Sequence, residues 1–204
     1  MAAQEGAQTS ALVTASGEPA HVKDPGALDA SRGLLVLLIG LPAVGKSTLS
    51  RGLSAALDAS VIDRDEMARS IYPDRYMIWT RPQMKVAGDV CTQVAEQVLS
   101  EQPGARLIVD GFTFSRKSDA DGFVAVGERT GTRVVRVHCV ADESVIRARI
   151  EGDGEGLEKR RDWTMYTRVR DRFEPLEKVD IEVDLTSDPE GCCKQVLEYI
   201  QRER

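Results

Sequence analysis

The chain has 204 residues, with 27 Lys or Arg against 33 Asp or Glu, so it is mildly acidic at −6 and too short for two ordinary domains joined by a linker. That balance gives no global attraction to nucleic acid or to a membrane surface, and no window reaches the roughly 18 consecutive apolar residues of a membrane span. Four cysteines (Cys91, Cys139, Cys192, Cys193) without metal-ligand spacing and only two histidines, His21 and His138, argue against a zinc site or a histidine-based nucleophile triad; they predict reduced thiols in a cytoplasmic chain.

Residues 1–32 are rich in Ala, Gly, Ser, Thr and Pro and keep no period of 2 or 3.6, which predicts a disordered tail ahead of one folded domain over 33–204. The run from Leu34 to Ile39 is apolar at every position, the pattern of a strand covered on both faces in a parallel sheet. Gly40-Leu41-Pro42-Ala43-Val44-Gly45-Lys46-Ser47 follows, and after it Leu49, Leu53, Ala56 and Leu57 recur at helical spacing. Strand, Gly-rich loop ending Gly-Lys-Ser, and amphipathic helix together form a phosphate-binding P-loop. Loop N–H groups around Gly40, Ala43, Val44, Gly45 and Thr48 and the helix dipole suit the phosphates of ATP. Lys46 suits the β- and γ-oxygens, and the Ser47 hydroxyl suits Mg²⁺.

A short strand at Val61 and Ile62 leads to Asp63-Arg64-Asp65 and a helix that stops near Pro73. Phosphoryl transfer to a hydroxyl needs a carboxylate that takes the proton and orients the acceptor; Asp65 is the first candidate and Asp63 the second. The alternative for either is to cap the helix that follows. Helical spacing from Ala87 to Leu99 ends at Gln102-Pro103-Gly104. Arg106-Leu107-Ile108-Val109-Asp110 then has the form of a Walker B strand, with Asp110 at the metal, although turn chemistry alone also ends strands in Asp. Thr113, Arg116 and Lys117 come next, where the two cations either bind an anionic substrate or are solvated.

A helix from about Lys117 to Arg129, a strand from Val134 to Val140 and a helix from Asp142 to Ile150 follow. On the last of these Arg149 falls on the inward face, where its charge needs a partner such as ATP. The Gly- and charge-rich stretch 152–161 precedes a helix over Trp163 to Phe173. If that helix begins by Arg161, then Arg161, Arg168 and Arg172 lie within about 40° of one another. Such a strip would belong to a lid at about 151–162 that closes over the transferring group; the bland alternative is a solvated face. A strand at Ile181 to Val183 and a helix from Pro189 complete the chain. Alternating strands and helices predict a three-layer αβα fold around a mainly parallel five-stranded sheet.

Gly40 to Leu49, Arg64-Asp65-Glu66-Met67, Val109-Asp110-Gly111-Phe112-Thr113-Phe114 and Tyr166 to Pro175 together resemble the P-loop kinases often described as AAA-type ATP-binding kinases. Polynucleotide 5′-hydroxyl kinases, adenylylsulfate kinases, gluconate kinases and chloramphenicol phosphotransferase are related to these. The resemblance implies Asp65 as the acceptor-activating carboxylate, Asp110 as the aspartate ending the third strand, and Arg149 as the nucleotide-covering arginine. Where relatives often carry an arginine three residues after the activating aspartate, this chain has Ala68, with Arg69 one place later. The place of a second lid arginine falls at Asp153, which leaves Arg160 or Arg161 to substitute.

The resulting expectation is an ATP- and Mg²⁺-dependent kinase of a small hydroxylated metabolite or natural product, with Asp65, Arg69, Thr113 and Arg116 toward the acceptor. A polynucleotide or tRNA-linked kinase is disfavoured by the acidic charge and by having only 2 Trp, 4 Tyr and 4 Phe. A regulatory ATP-binding module is the reading from another class. The acceptor pocket is expected around Met77 to Arg81 and Phe112 to Lys117.

Overall fold

The computed structural model describes residues 32–152 and 162–202. The segments 1–31 and 153–161, which carry nearly all of the expected tail and lid together with Arg160 and Arg161, lie outside the described residues. Five strands, β1 (Leu34–Ile39), β2 (Ser60–Asp63), β3 (Arg106–Asp110), β4 (Arg133–Val140) and β5 (Ile181–Asp184), form one sheet in the order β2-β3-β1-β4-β5, with every pairing parallel. Between them run α1 (Lys46–Leu57), α2 (Arg64–Ile71), α3 (Arg81–Glu101), α4 (Asp121–Thr130), α5 (Glu143–Gly152), α6 (Trp163–Arg170) and α7 (Pro189–Arg202).

The unbroken apolar run of β1 is explained by its central place in the sheet. Leu34, Val36 and Leu38 pack on one face with Leu49 and Leu53 of α1 and Val196 and Ile200 of α7. Leu35, Leu37 and Ile39 pack on the other with Cys91, Ala95 and Leu99 of α3 and Phe123 of α4. Successive side chains of a strand point to opposite faces, so a strand covered on both sides must be apolar at every position. All six are buried, and each such side chain contributes about 1.5–3 kcal/mol relative to exposure. This double anchoring makes β1 the rigid base from which the Gly40 loop projects.

Two expected boundaries shift for local reasons. The helix expected from Lys117 begins as a 3₁₀ turn over Lys117–Asp119, and α4 proper starts at Asp121. There the Asp119 carboxylate takes the backbone N–H of Arg116, a side-chain bond that competes with helical pairing. The last helix before β5 starts at Trp163, capped by Asp162 accepting from the Met165 N–H, and ends at Arg170. Arg168 lies on this helix and Arg172 follows it, while Arg161 lies outside the described residues.

Candidate functional site

At the carboxyl end of β1 the backbone turns through Gly40 at φ 150°, Ala43 at φ 60° and Gly45 at φ 111°. A Cβ on Gly40 would stand 2.4 Å from the Cys139 carbonyl oxygen, so the loop passes β4 at a distance only glycine allows. Gly40→Ala should cost about 1–3 kcal/mol, the usual scale for forced backbone strain. A thermal melt should show a midpoint lower by roughly 2–12 °C; an unchanged midpoint would show that the loop relaxes freely. The Gly40 N–H donates to the Thr113 carbonyl at 3.2 Å, which ties this loop to the one after β3.

Helix α1 opens at Gly45 with no side-chain cap and no acidic residue in its first turn. Its leading N–H groups and positive dipole end are thus left to an external anion, and Ser47 and Thr48 are exposed beside them. The Lys46 ammonium is largely buried and donates to the carbonyls of Gly40 (2.8 Å) and Leu41 (2.9 Å), lying across the loop. Arg149 reaches in from α5 and donates to the carbonyls of Val44 and Leu185, both at 2.7 Å. Partners for its half-buried charge are therefore supplied by the protein, and the guanidinium braces the loop against the start of the β5–α7 connection. A Cβ on Gly45 would come within 3.3 Å of its Nη1. Beneath the loop, burial pushes the Cys139 thiol up to about 12 despite the nearby Lys46 ammonium, so it stays protonated and acts as core rather than nucleophile.

Strand register sets two carboxylates side by side, since Asp63 of β2 pairs with Asp110 of β3 at the same sheet edge. Their surroundings give them different tasks. Asp63 accepts from the N–H groups of Asp65 (2.7 Å) and Glu66 (2.9 Å) and so caps α2. It does not line the cleft described below, and the capping alternative is the one its hydrogen bonds show. Asp110 is buried at 3 % exposure and accepts from the Gly111 N–H at 2.7 Å, facing the P-loop from the neighbouring strand. Gly111, at φ 75°, lets the end of β3 dock on the start of α2, where a Cβ would meet the Arg64 nitrogen at 2.8 Å. Asp65 stands in the first turn of α2 and turns into the cleft, with Arg64 Nη2 3.7 Å from its Oδ1.

These elements enclose one large cleft of about 1750 Å³ over the carboxyl edge of the sheet. Of the residues expected in the site, Ala43, Gly45, Lys46, Ser47, Thr48, Asp65, Asp110, Thr113, Arg116 and Arg149 line it. Gly40 and Val44 do not; Gly40 shapes the turn and Val44 sends its side chain into the core. Arg69 does not line it either. Its guanidinium lies 5.3 Å from the centroid of the Trp79 ring, which itself lines the cleft. Arg168 and Arg172 both face the cleft, from α6 and from the turn beyond it, while Arg161 lies outside the described residues.

Sequence reasoning missed Arg64. It lines the cleft, stacks its guanidinium 4.7 Å from the Phe112 centroid, and keeps a buried Nε without a hydrogen-bond partner among the described residues. Its sequence signals were its position between two aspartates and its place in the Arg64-Asp65-Glu66-Met67 motif. In the segment expected around the acceptor, Phe112 and Phe114 stack at 5.0 Å, and Phe123, which sequence reasoning did not single out, meets both edge-on.

In a comparison with solved structures, a candidate kinase from Chloroflexus aurantiacus superposes with a TM-score of 0.66 at 22 % identity, covering 84 % of this chain and 96 % of that one. The Mycobacterium tuberculosis APS kinase CysC, in complex with AMPPNP and APS, gives 0.60 at 14 % identity over 83 % and 98 % of the two chains. A gluconokinase from Sinorhizobium meliloti gives 0.58 at 16 % identity over 82 % and 91 %. At these identities the likeness establishes the fold, that of P-loop kinases. No curated protein matches the chain. The family model AAA_33, described as an AAA domain, matches residues 35–175, the span that carries the P-loop, both strand-end aspartates, Asp65 and Arg149, and the chain belongs to that family.

Proposed function

We propose that this protein is an ATP- and Mg²⁺-dependent kinase that transfers the γ-phosphoryl group to a hydroxyl of a small metabolite or natural product. The observation that carries this reading is that Asp65 lines the same cleft as Lys46 and Ser47, while Asp63 caps α2. A nucleotide-binding cleft alone is compatible with switches and motors; a carboxylate across from the phosphate loop is what an acceptor hydroxyl requires. The solved neighbours include proteins named as an APS kinase and a gluconokinase, which favours a small acceptor.

The donor set fits the nucleotide and the metal. The uncapped α1 N-terminus and the glycine-lined turn suit phosphate oxygens, and the exposed Ser47 hydroxyl and the buried Asp110 carboxylate, which line the same cleft, are an all-oxygen set suited to Mg²⁺. When bound, Mg²⁺ neutralises charge on the phosphate oxygens. Lys46 adds a fixed positive charge on the same side, and Arg149 holds the loop in place. Asp65 accepts the acceptor's hydroxyl proton as its oxygen forms a bond to the γ-phosphorus and the bond to the β-phosphate oxygen breaks. ADP leaves, and the proton passes from Asp65 to solvent. Arg168 and Arg172 face the cleft from the other side and suit the charge that spreads over the equatorial oxygens.

Purified protein with Mg²⁺ and ATP should be offered a panel of sugars, amino alcohols, aromatic alcohols and oligonucleotides. The expected result is ADP release that depends on a small acceptor and matches a phosphate monoester seen by phosphorus NMR. Transfer only to oligonucleotides, or only inorganic phosphate released independently of any acceptor, would overturn the small-acceptor reading.

A further inference from the structure

Arg64 is a cation in the cleft wall whose guanidinium makes no hydrogen bond to the protein among the described residues. Its Nε is buried and unpartnered, and its Nη2 stands 3.7 Å from Oδ1 of Asp65, too far for the two-pronged pairing that a guanidinium makes with a carboxylate. Buried donors are rarely left unmade, because each costs its full desolvation. Part of the side chain, 23 %, nevertheless stays exposed.

The surroundings hold this guanidinium in place. It lies 4.7 Å from the centroid of Phe112, which is 8 % exposed and itself stacks on Phe114 at 5.0 Å. Facing them, α3 carries Gly88 in its interior, a place where glycine weakens a helix. A Cβ there would come 3.3 Å from Cε1 of Phe112 and 4.0 Å from Cδ of Arg64, so the missing side chain makes room for the pair. Charge points the same way. Among the described residues, eight cationic and five acidic side chains line the cleft, in a chain whose net charge is −6. Lys46, Arg149, Arg168 and Arg172 have tasks toward the nucleotide, and Lys85 is paired with Asp89 at 2.6 Å. Arg64 stands apart from these, on α2 beside the candidate base, and Arg116, exposed in the loop that follows Phe112, adds a second cation.

We infer that the phosphoryl acceptor carries an anionic group, a carboxylate or a phosphate, that Arg64 binds, which makes Arg64 a specificity-determining residue. This rests on the kinase reading for the identity of the cleft. The planar fork of a guanidinium matches either anion, and its stack on Phe112 fixes the plane in advance. A hydroxyl bonded to Oδ1 of Asp65 and an anion oxygen bonded to Nη2 of Arg64 lie at most about 9 Å apart, so one small molecule can present both.

The test uses the full chain with AMPPNP and Mg²⁺ present and measures binding by calorimetry. Glycerate and 4-(hydroxymethyl)benzoate are compared with their carboxamides, and glycerol 3-phosphate with glycerol, so the two arms distinguish a carboxylate from a phosphate. In at least one arm the anion should bind roughly 10- to 100-fold tighter than its neutral partner, the scale of a charge-assisted hydrogen bond, and added salt should shrink the difference. Arg64→Met should abolish the preference and keep AMPPNP affinity. Arg64→Lys, which keeps the charge without the planar fork, should retain part of the preference and serves where Met unsettles the fold. Equal binding of anions and neutral partners, no binding of any probe at millimolar concentration, a preference that survives Arg64→Met, or lost AMPPNP affinity in that variant with its thermal melt intact overturns the inference. Equal transfer to acids and amides would sink the anion and spare the kinase; a preference for anions without transfer to any acceptor would do the reverse.

Discussion

Asp65→Asn should retain nucleotide affinity and lose about 10²-fold or more in turnover, the usual scale for removing general-base help. The substitution keeps the size and leaves a hydrogen-bonding group beside Arg64, so the loss would report the missing proton acceptor rather than a collapsed cleft. Asp63 supplies the control. It is adjacent in register to Asp110 and two residues from Asp65, yet its carboxylate accepts the two N–H bonds that start α2. Asp63→Ala should cost about 0.5–2 kcal/mol of stability through the lost cap, measured by denaturant unfolding. Any effect on turnover should follow through a loosened α2. Near-normal turnover of Asp65→Asn on the true acceptor would defeat the assignment, and a stability loss larger than that of Asp63→Ala would show that the two roles had been exchanged.

Lys46→Met should lower kcat by roughly 10²–10³-fold at saturating ATP, the scale of deleting one preorganised charge from a transition-state site. Met preserves most of the apolar stem that the buried lysine packs into the cleft wall. It removes the donor that the Gly40 and Leu41 carbonyls share, so the melting temperature should be followed in parallel to separate a distorted loop from a missing charge. Arg149→Met gives the comparison, because that guanidinium is held by Val44 and Leu185. Its loss should loosen the loop and weaken nucleotide binding more than it slows transfer. Unchanged turnover in Lys46→Met would remove the lysine from the reaction.

The sheet was readable in advance because each strand carried a local cue. The six apolar residues of β1 could be satisfied only by cover on both faces, and the change to helical spacing after Gly45 located α1. The P-loop was readable for the same reason: its chemistry resides in backbone N–H groups, one lysine and one hydroxyl within a single contiguous segment. Where a helix boundary depended on a side-chain bond, as at Asp119, periodicity alone placed the start too early.

The acceptor half of the cleft was much less readable. Asp63 and Asp65 are the same residue type two positions apart, and nothing local says which one the helix consumes as its cap; the chain's path from β2 into α2 decides it. Arg64 lines the cleft and Arg69 does not, because orientation around a helix is set by what lies opposite, here the Phe112 ring and the Trp79 ring contributed by distant segments. Arg149 likewise found carbonyl partners 105 and 36 residues away in the chain. By itself, then, the sequence determined the fold class and the phosphate-binding loop, whose residues act on their immediate neighbours. Only the tertiary structure decided which carboxylate faces the cleft and which arginines line it, because those outcomes depend on contacts between segments brought together by folding.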